Sequence, residues 1–174
     1  MKLSQVGVTL FNLRDHCKTA PDLAHTLKRV REIGYRVVQI SGVGPIPEEE
    51  IVRMLDGEGL TCCITHEKSA QIIDEPQAVV ERLDKLGVSY TAYPVPHVPI
   101  DTLDNVKALA EMLDEAGAFL REHGKKLLYH NHHKEFHRID GKPVLEHLYD
   151  MTDPENLQGE IDTHWVQAGG GCPV

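Results

Sequence analysis

The feature that most constrains this sequence is a strict alternation of short β-rich runs with amphipathic stretches. Runs rich in β-branched and aromatic residues occupy Gln5–Leu10, Tyr35–Ser41, Leu60–Thr65, Ser89–Tyr93, Lys126–Asn131 and Leu157–Thr163, which predicts six strands. Between them, Asp22–Ile33, Glu48–Leu55, Gln77–Leu86, Leu103–His123 and Val144–Met151 carry apolar residues at spacings of three and four with charges opposite. That is the pattern of helices burying one face. Gly34, Gly59, Gly87 and Gly124 each stand just before the next strand, where a left-handed helix cap favours glycine. Pro21, Pro47, Pro76 and Pro143 stand near helix starts, where a missing N–H costs little. Such alternation forces parallel strands joined by right-handed helical crossovers, so the chain builds either a doubly wound open sheet or a closed (β/α)₈ barrel.

Phosphate-cradling signatures favour the barrel by their absence: no GxGxxG follows the first strand, and no GxxxxGK[ST] occurs. The expected fold is α/β, of the (β/α)₈ TIM-barrel type, as one domain spanning residues 1–174. Successive strands start about 30 residues apart, so eight repeats need roughly 240 to 250 residues. The 174 residues hold about six β/α units and read as a C-terminally incomplete barrel. With 41% hydrophobic residues the chain can fill a core, and no apolar run approaches the length of a membrane-spanning helix. The first fifteen residues alternate like a strand and lack the profile of a secretion signal. Cys17, Cys62, Cys63 and Cys172 form no CxxC pair, and adjacent Cys62 and Cys63 read as two faces of a buried strand. The expected compartment is the cytoplasm. A net charge of −9 opposes binding to a phosphate backbone.

Barrel enzymes place their chemistry at the C-terminal ends of the strands. His66, His97, the histidines of Tyr129–Phe136 (YHNHHKEF), Asp162 and His164 all fall there. His130 and His132 are two apart on a strand and share a face, and alternation through LQGEIDTHW sets Glu160, Asp162 and His164 on one face, with Ile161 and Thr163 toward the helices. Two imidazoles and a carboxylate make a mixed N/O set suited to Zn²⁺, Mn²⁺, Co²⁺ or Fe²⁺. His16, His25, His123, His137 and His147 lie on helices or outer loops and read as surface residues. The run Glu48–Glu50 reads as a solvated first helical turn favoured by the macrodipole.

The opening TLFNLRD, GYRVVQIS, the third strand ending in His66, YHNHHKEF and EIDTHWVQAGG together resemble the xylose isomerase-like barrel superfamily of sugar phosphate isomerases and epimerases. The resemblance implies a divalent metal (Mn, Co, Zn or Mg) at the barrel mouth. Many members hold it with a glutamate on the fifth strand, an aspartate on the sixth, a histidine on the seventh and a glutamate on the eighth. Asp162 matches the aspartate, while the usual Glu-Asn-His of the fifth strand is matched by His130, Asn131 and His132. A metal-bound neutral imidazole is a poor proton acceptor, so the two-glutamate proton exchange of the epimerases does not carry over intact. The implied activity is isomerisation or epimerisation of a sugar, sugar phosphate or cyclitol by proton abstraction next to a carbonyl. Alternatives are an inosose-type dehydratase, a catalytically incomplete fragment or binding module without activity of its own and, against the charge, a phosphodiesterase like endonuclease IV. The implied metal ligands are His130 and Asp162, and the catalytic candidates are Glu135, Glu160 and His132, with Glu135 or Glu160 orienting the others. Substrate-contact candidates are His66, His97, His164, Phe11 and Trp165. The expected partner is a small sugar or cyclitol, with no nucleic acid, membrane or nucleotide cofactor. A homo-oligomer is one further alternative, beside a lone open sheet and a longer native protein.

Overall fold

Alternating burial along short parallel strands, each followed by a helix with one apolar face, organises the chain. The computed structural model describes residues 6–173; Gln5, the first residue of the expected opening strand, lies outside them. The order is β1 (Gly7–Thr9), α1 (Ala20–Ile33), β2 (Val37–Ile40), α2 (Glu48–Glu58), β3 (Thr61–His66), α3 (Ser69–Asp74), α4 (Pro76–Leu86), β4 (Tyr90–Tyr93), α5 (Leu103–Glu122), β5 (Lys126–His130), β6 (Arg138–Ile139), β7 (Lys142–Pro143), α6 (Val144–Asp150), β8 (Leu157–Glu160) and α7 (Thr163–Ala168). The six-stranded sheet runs β1-β2-β3-β4-β5-β8, and β6 and β7 form a separate antiparallel hairpin. Asp140 and Gly141, both at positive φ, make its two-residue turn. The fold class is α/β.

The chain separates into two compact units, residues 6–66 with Glu81–Tyr90, and Glu67–Val80 with residues 91–173. In the first, β1, β2 and β3 pair in parallel. Leu23, Leu27 and Val30 of α1, Ile51 and Leu55 of α2, and Val38 and Ile40 of β2 are buried. The Thr19 hydroxyl accepts the Asp22 N–H and caps α1, with Pro21 in the first turn. Glu48–Glu50 form the first turn of α2, as expected. In the second unit α5 buries one continuous face, Val106, Leu109, Ala110, Leu113, Ala116, Gly117 and Leu120. Leu127 and Tyr129 of β5 and Leu157 of β8 are buried as well.

Three expectations are corrected. The opening strand stops at Thr9, short of the expected Leu10, and Leu10–His16 winds into a 3₁₀ helix that carries Phe11. The last strand stops at Glu160, because the Asp162 side chain caps α7, and this puts His164 on a helix. Cys62 is half-buried and Cys63 exposed, whereas Cys17 is fully buried. His147 is also less exposed than a surface residue and faces the Ile139 carbonyl through its Nε2 at 3.0 Å. Among the described residues, no helix is long and apolar enough to cross a membrane.

Candidate metal centre

Strands β5 and β8 pair in parallel, and the last pair of the ladder sets His130 opposite Glu160. Neighbouring strands lie less than 5 Å apart, so this register alone brings imidazole and carboxylate together, with His130 Nδ1 3.6 Å from Glu160 Oε2. Two residues further on, Asp162 Oδ2 lies 3.9 Å from the other ring nitrogen, Nε2. The His130 side chain is only 16% exposed, which strengthens its interactions with both carboxylates relative to open solvent. The imidazole therefore stands between two carboxylates.

This donor set fits a divalent ion. Metal bonds of about 2.1 Å keep any two ligands of one ion within about 4.2 Å of each other. Each separation meets that bound, 3.6 Å for His130 Nδ1 with Glu160 and 3.9 Å for Nε2 with Asp162, but the two involve opposite ring nitrogens, so His130 shares an ion with one carboxylate at a time. Imidazole and carboxylate together suit Zn²⁺, Mn²⁺, Co²⁺ and Fe²⁺. Asp162 is held in place by its own cap, since its Oδ1 accepts the N–H groups of His164 at 2.9 Å and Trp165 at 3.2 Å. Its Oδ2 is the oxygen directed to His130.

Further imidazole groups of this unit and Trp165 gather close by. The His132 ring meets that of His130 edge-on, with centroids 4.9 Å apart. The rings of His132, His133 and His164 surround Trp165 at 5.2, 5.4 and 4.9 Å. Glu135 is fully buried, accepting the Tyr129 hydroxyl at Oε1 and the His132 N–H at Oε2, each at 2.9 Å. Enclosed in this way, it anchors the His132 backbone and does not open to solvent.

No family model matches the sequence, and no curated protein matches it. Solved structures do. Over 97% of its length the chain superposes on a sugar phosphate isomerase/epimerase from Parabacteroides distasonis, with a TM-score of 0.86, 22% identity and 68% of that chain covered. A probable 3-DHS dehydratase, AsbF, from Bacillus anthracis is matched at a TM-score of 0.71 and 12% identity, over 96% of this chain and 66% of that one. An AP endonuclease from Brucella melitensis is matched at 0.66 and 11%, over 92% and 69%. The fold is that of the xylose isomerase-like TIM barrels.

In such barrels the chemistry gathers at the C-terminal strand ends, and His130 and Glu160 are the last residues of β5 and β8. His66, in the first unit, is the last residue of β3 and half-buried. His97 follows β4 and is exposed, with Nδ1 2.6 Å from the Tyr93 hydroxyl. Phe11 is 49% exposed and lies under the Arg14 guanidinium, 4.6 Å from its ring centroid. Two groups were given no role from the sequence. Asn131, fully buried between the two histidines, directs its amide at the Asp162 backbone. Tyr93, the last residue of β4, and Tyr129 of β5 stack with centroids 5.7 Å apart.

Burial and then the nearby Glu135 carboxylate push the Tyr149 phenol up to about 12. Burial does the same for Tyr93, also to about 12, against a smaller opposing effect of the His97 N–H. Tyr129, buried and bonded to Glu135, is raised well above the usual tyrosine value. The folded chain thus holds these protons more tightly than the unfolded chain, whose tyrosines ionise near pH 10. Their contribution to stability is complete below pH 10 and falls as pH rises through about 12. Tyrosinate absorbance is expected to rise late for these three residues and to accompany alkaline unfolding. Ionisation of all tyrosines in one step near pH 10, with the fold intact, would contradict this.

Proposed function

We propose that this chain acts as a divalent-metal-dependent isomerase or epimerase of a small sugar, sugar phosphate or cyclitol, removing a proton next to a carbonyl. The observation that carries the reading is the His130 imidazole set between the Glu160 and Asp162 carboxylates at the ends of β5 and β8. His130 and Asp162 would hold the metal, which when bound supplies Lewis-acid stabilisation of negative charge on a substrate oxygen. Glu160, half-buried beside the imidazole, is the carboxylate placed to take the proton. His132, its ring against His130 and its N–H fixed by Glu135, is oriented to bind a substrate hydroxyl. Trp165 offers an aromatic face to the C–H side of a sugar, and His132, His133 and His164 around it add polar groups.

A net charge of −9 favours a small substrate over a nucleic acid, and a cytoplasmic setting belongs to the same proposal. The test is direct. His130→Ala and Asp162→Ala are each expected to weaken Mn²⁺ or Co²⁺ binding roughly a hundredfold by calorimetry, since a metal site loses one of its few strong ligands. Both are also expected to stop exchange of the substrate α-proton with deuterated water. Unchanged metal stoichiometry in both variants would overturn the assignment.

A further inference from the structure

The parallel ladder between β5 and β8 ends at the pair His130 and Glu160. The two strands would be free to diverge there, yet Asp162 has to stay beside His130 for the two to share an ion. What spans the gap is the Asn131 side chain, fully buried between His130 and His132. The Asp162 N–H donates to Asn131 Oδ1 at 2.9 Å, and Asn131 Nδ2 donates to the Asp162 carbonyl at 3.3 Å. An amide side chain carries the same donor and acceptor as a peptide group, so it extends the ladder beyond the last backbone pair. It grips both backbone groups of Asp162, while the carboxylate is separately fixed by the His164 and Trp165 N–H groups. The rotation of Asp162 about its own backbone is therefore restrained from two sides.

We infer that Asn131 is the positioning residue of the metal pair, its amide holding Asp162 Oδ2 in reach of His130 Nε2. The inference rests on the proposed reading of His130 and Asp162 as metal ligands. Aspartate is the sharpest probe: it has the same shape as asparagine but no N–H donor, and it would face the Asp162 carbonyl with a carboxylate oxygen. Alanine removes both bonds. A residue that orients a ligand typically contributes ten- to a hundredfold to metal affinity. Asp114, whose carboxylate accepts the Asp153 N–H and the Asn156 amide on the opposite side of β8, serves as a comparison that loosens the same unit away from the ligands.

The experiment measures Mn²⁺ affinity and unfolding temperature of the full chain for Asn131→Asp, Asn131→Ala and Asp114→Ala, with amide hydrogen exchange at Asp162 in the metal-free protein. Both Asn131 variants are expected to bind Mn²⁺ ten- to a hundredfold more weakly and to speed exchange at Asp162, while Asp114→Ala lowers the unfolding temperature and leaves affinity within about twofold. Asn131 variants that lose stability but keep Mn²⁺ affinity would overturn the inference and leave a purely structural amide. Should an Asn131 variant fail to fold, slow exchange at the Asp162 N–H of the wild-type chain is still required, and rapid exchange there overturns the inference. If His130→Ala and Asp162→Ala bind Mn²⁺ like the wild type, the underlying metal reading has failed and the inference falls with it. If they lose the ion while Asn131→Asp keeps it, only the inference has failed.

Discussion

Alanine in place of Gly117 is expected to lower the unfolding free energy by about 3 kcal/mol, at the upper end of the cost of overpacking a core. A β-carbon built there would lie 2.2 Å from the Asn156 carbonyl oxygen, far inside van der Waals contact. The clash is with backbone, and that backbone is held. The Asn156 and Leu157 N–H groups both donate to the Asp153 carbonyl at 2.9 Å, and the Asn156 amide donates to Asp114 of the same helix at 3.1 Å. Either α5 or the segment leading into β8 has to move. For a chain of this size the loss corresponds to a fall of roughly 6–12 °C in unfolding temperature. Gly57, inside α2, has nothing within 4 Å of the added carbon. There the same substitution is expected to stabilise by about 0.5–1 kcal/mol through helix propensity alone. Denaturant unfolding of the two variants checks both signs; similar effects at the two sites would show that the close approach at Gly117 does not govern packing.

The contrast bears on what a single sequence can disclose. Strand, helix and cap signals are local, and they placed every strand of the six-stranded sheet and the five longer helices to within a few residues. Glycines at helix ends announced themselves because the next residues start a strand. Gly117, in the middle of a regular helical pattern, carries no local sign of the carbonyl lying against it, which comes from a segment 39 residues on. The same limit explains the site. His130 and His132 were legible as a same-face pair, and the convergence of Asp162 on His130 followed from strand alternation. Alternation misled at His164, because the capping side chain of Asp162 turns the chain into α7. Cap residues and strand ends share the same polar amino acids, so only three-dimensional context separates them. The end of the first strand was overrun for a related reason: TLFNLRD has a strand's alternation at its start but bends into a 3₁₀ helix after Thr9.

Removal of the Glu135 carboxylate is expected to be as damaging as crowding at Gly117. Glu135 lies wholly inside the protein with each oxygen accepting one hydrogen bond, from the Tyr129 hydroxyl and the His132 N–H. Bonds to a charged acceptor contribute roughly 1.5–3 kcal/mol each, and alanine would leave both donors buried beside a cavity. Dehydrating the carboxylate itself offsets part of this. The expected loss for Glu135→Ala is therefore about 3–5 kcal/mol, with the His132 backbone released from its anchor. Glutamine distinguishes lost bonding from lost charge. Its carbonyl can accept the His132 N–H, and its amide can donate to Tyr129, whose hydroxyl is able to rotate and accept. Glu135→Gln is accordingly expected to cost only about 1–2 kcal/mol. Removing the charge would also bring the Tyr129 phenol down toward the ordinary range, though burial, the larger cause of its elevation, would keep it raised. Chemical denaturation and tyrosinate titration of the two variants together decide the matter. Equal losses from glutamine and alanine would mean that the negative charge, and not the pair of hydrogen bonds, holds the strand end in place.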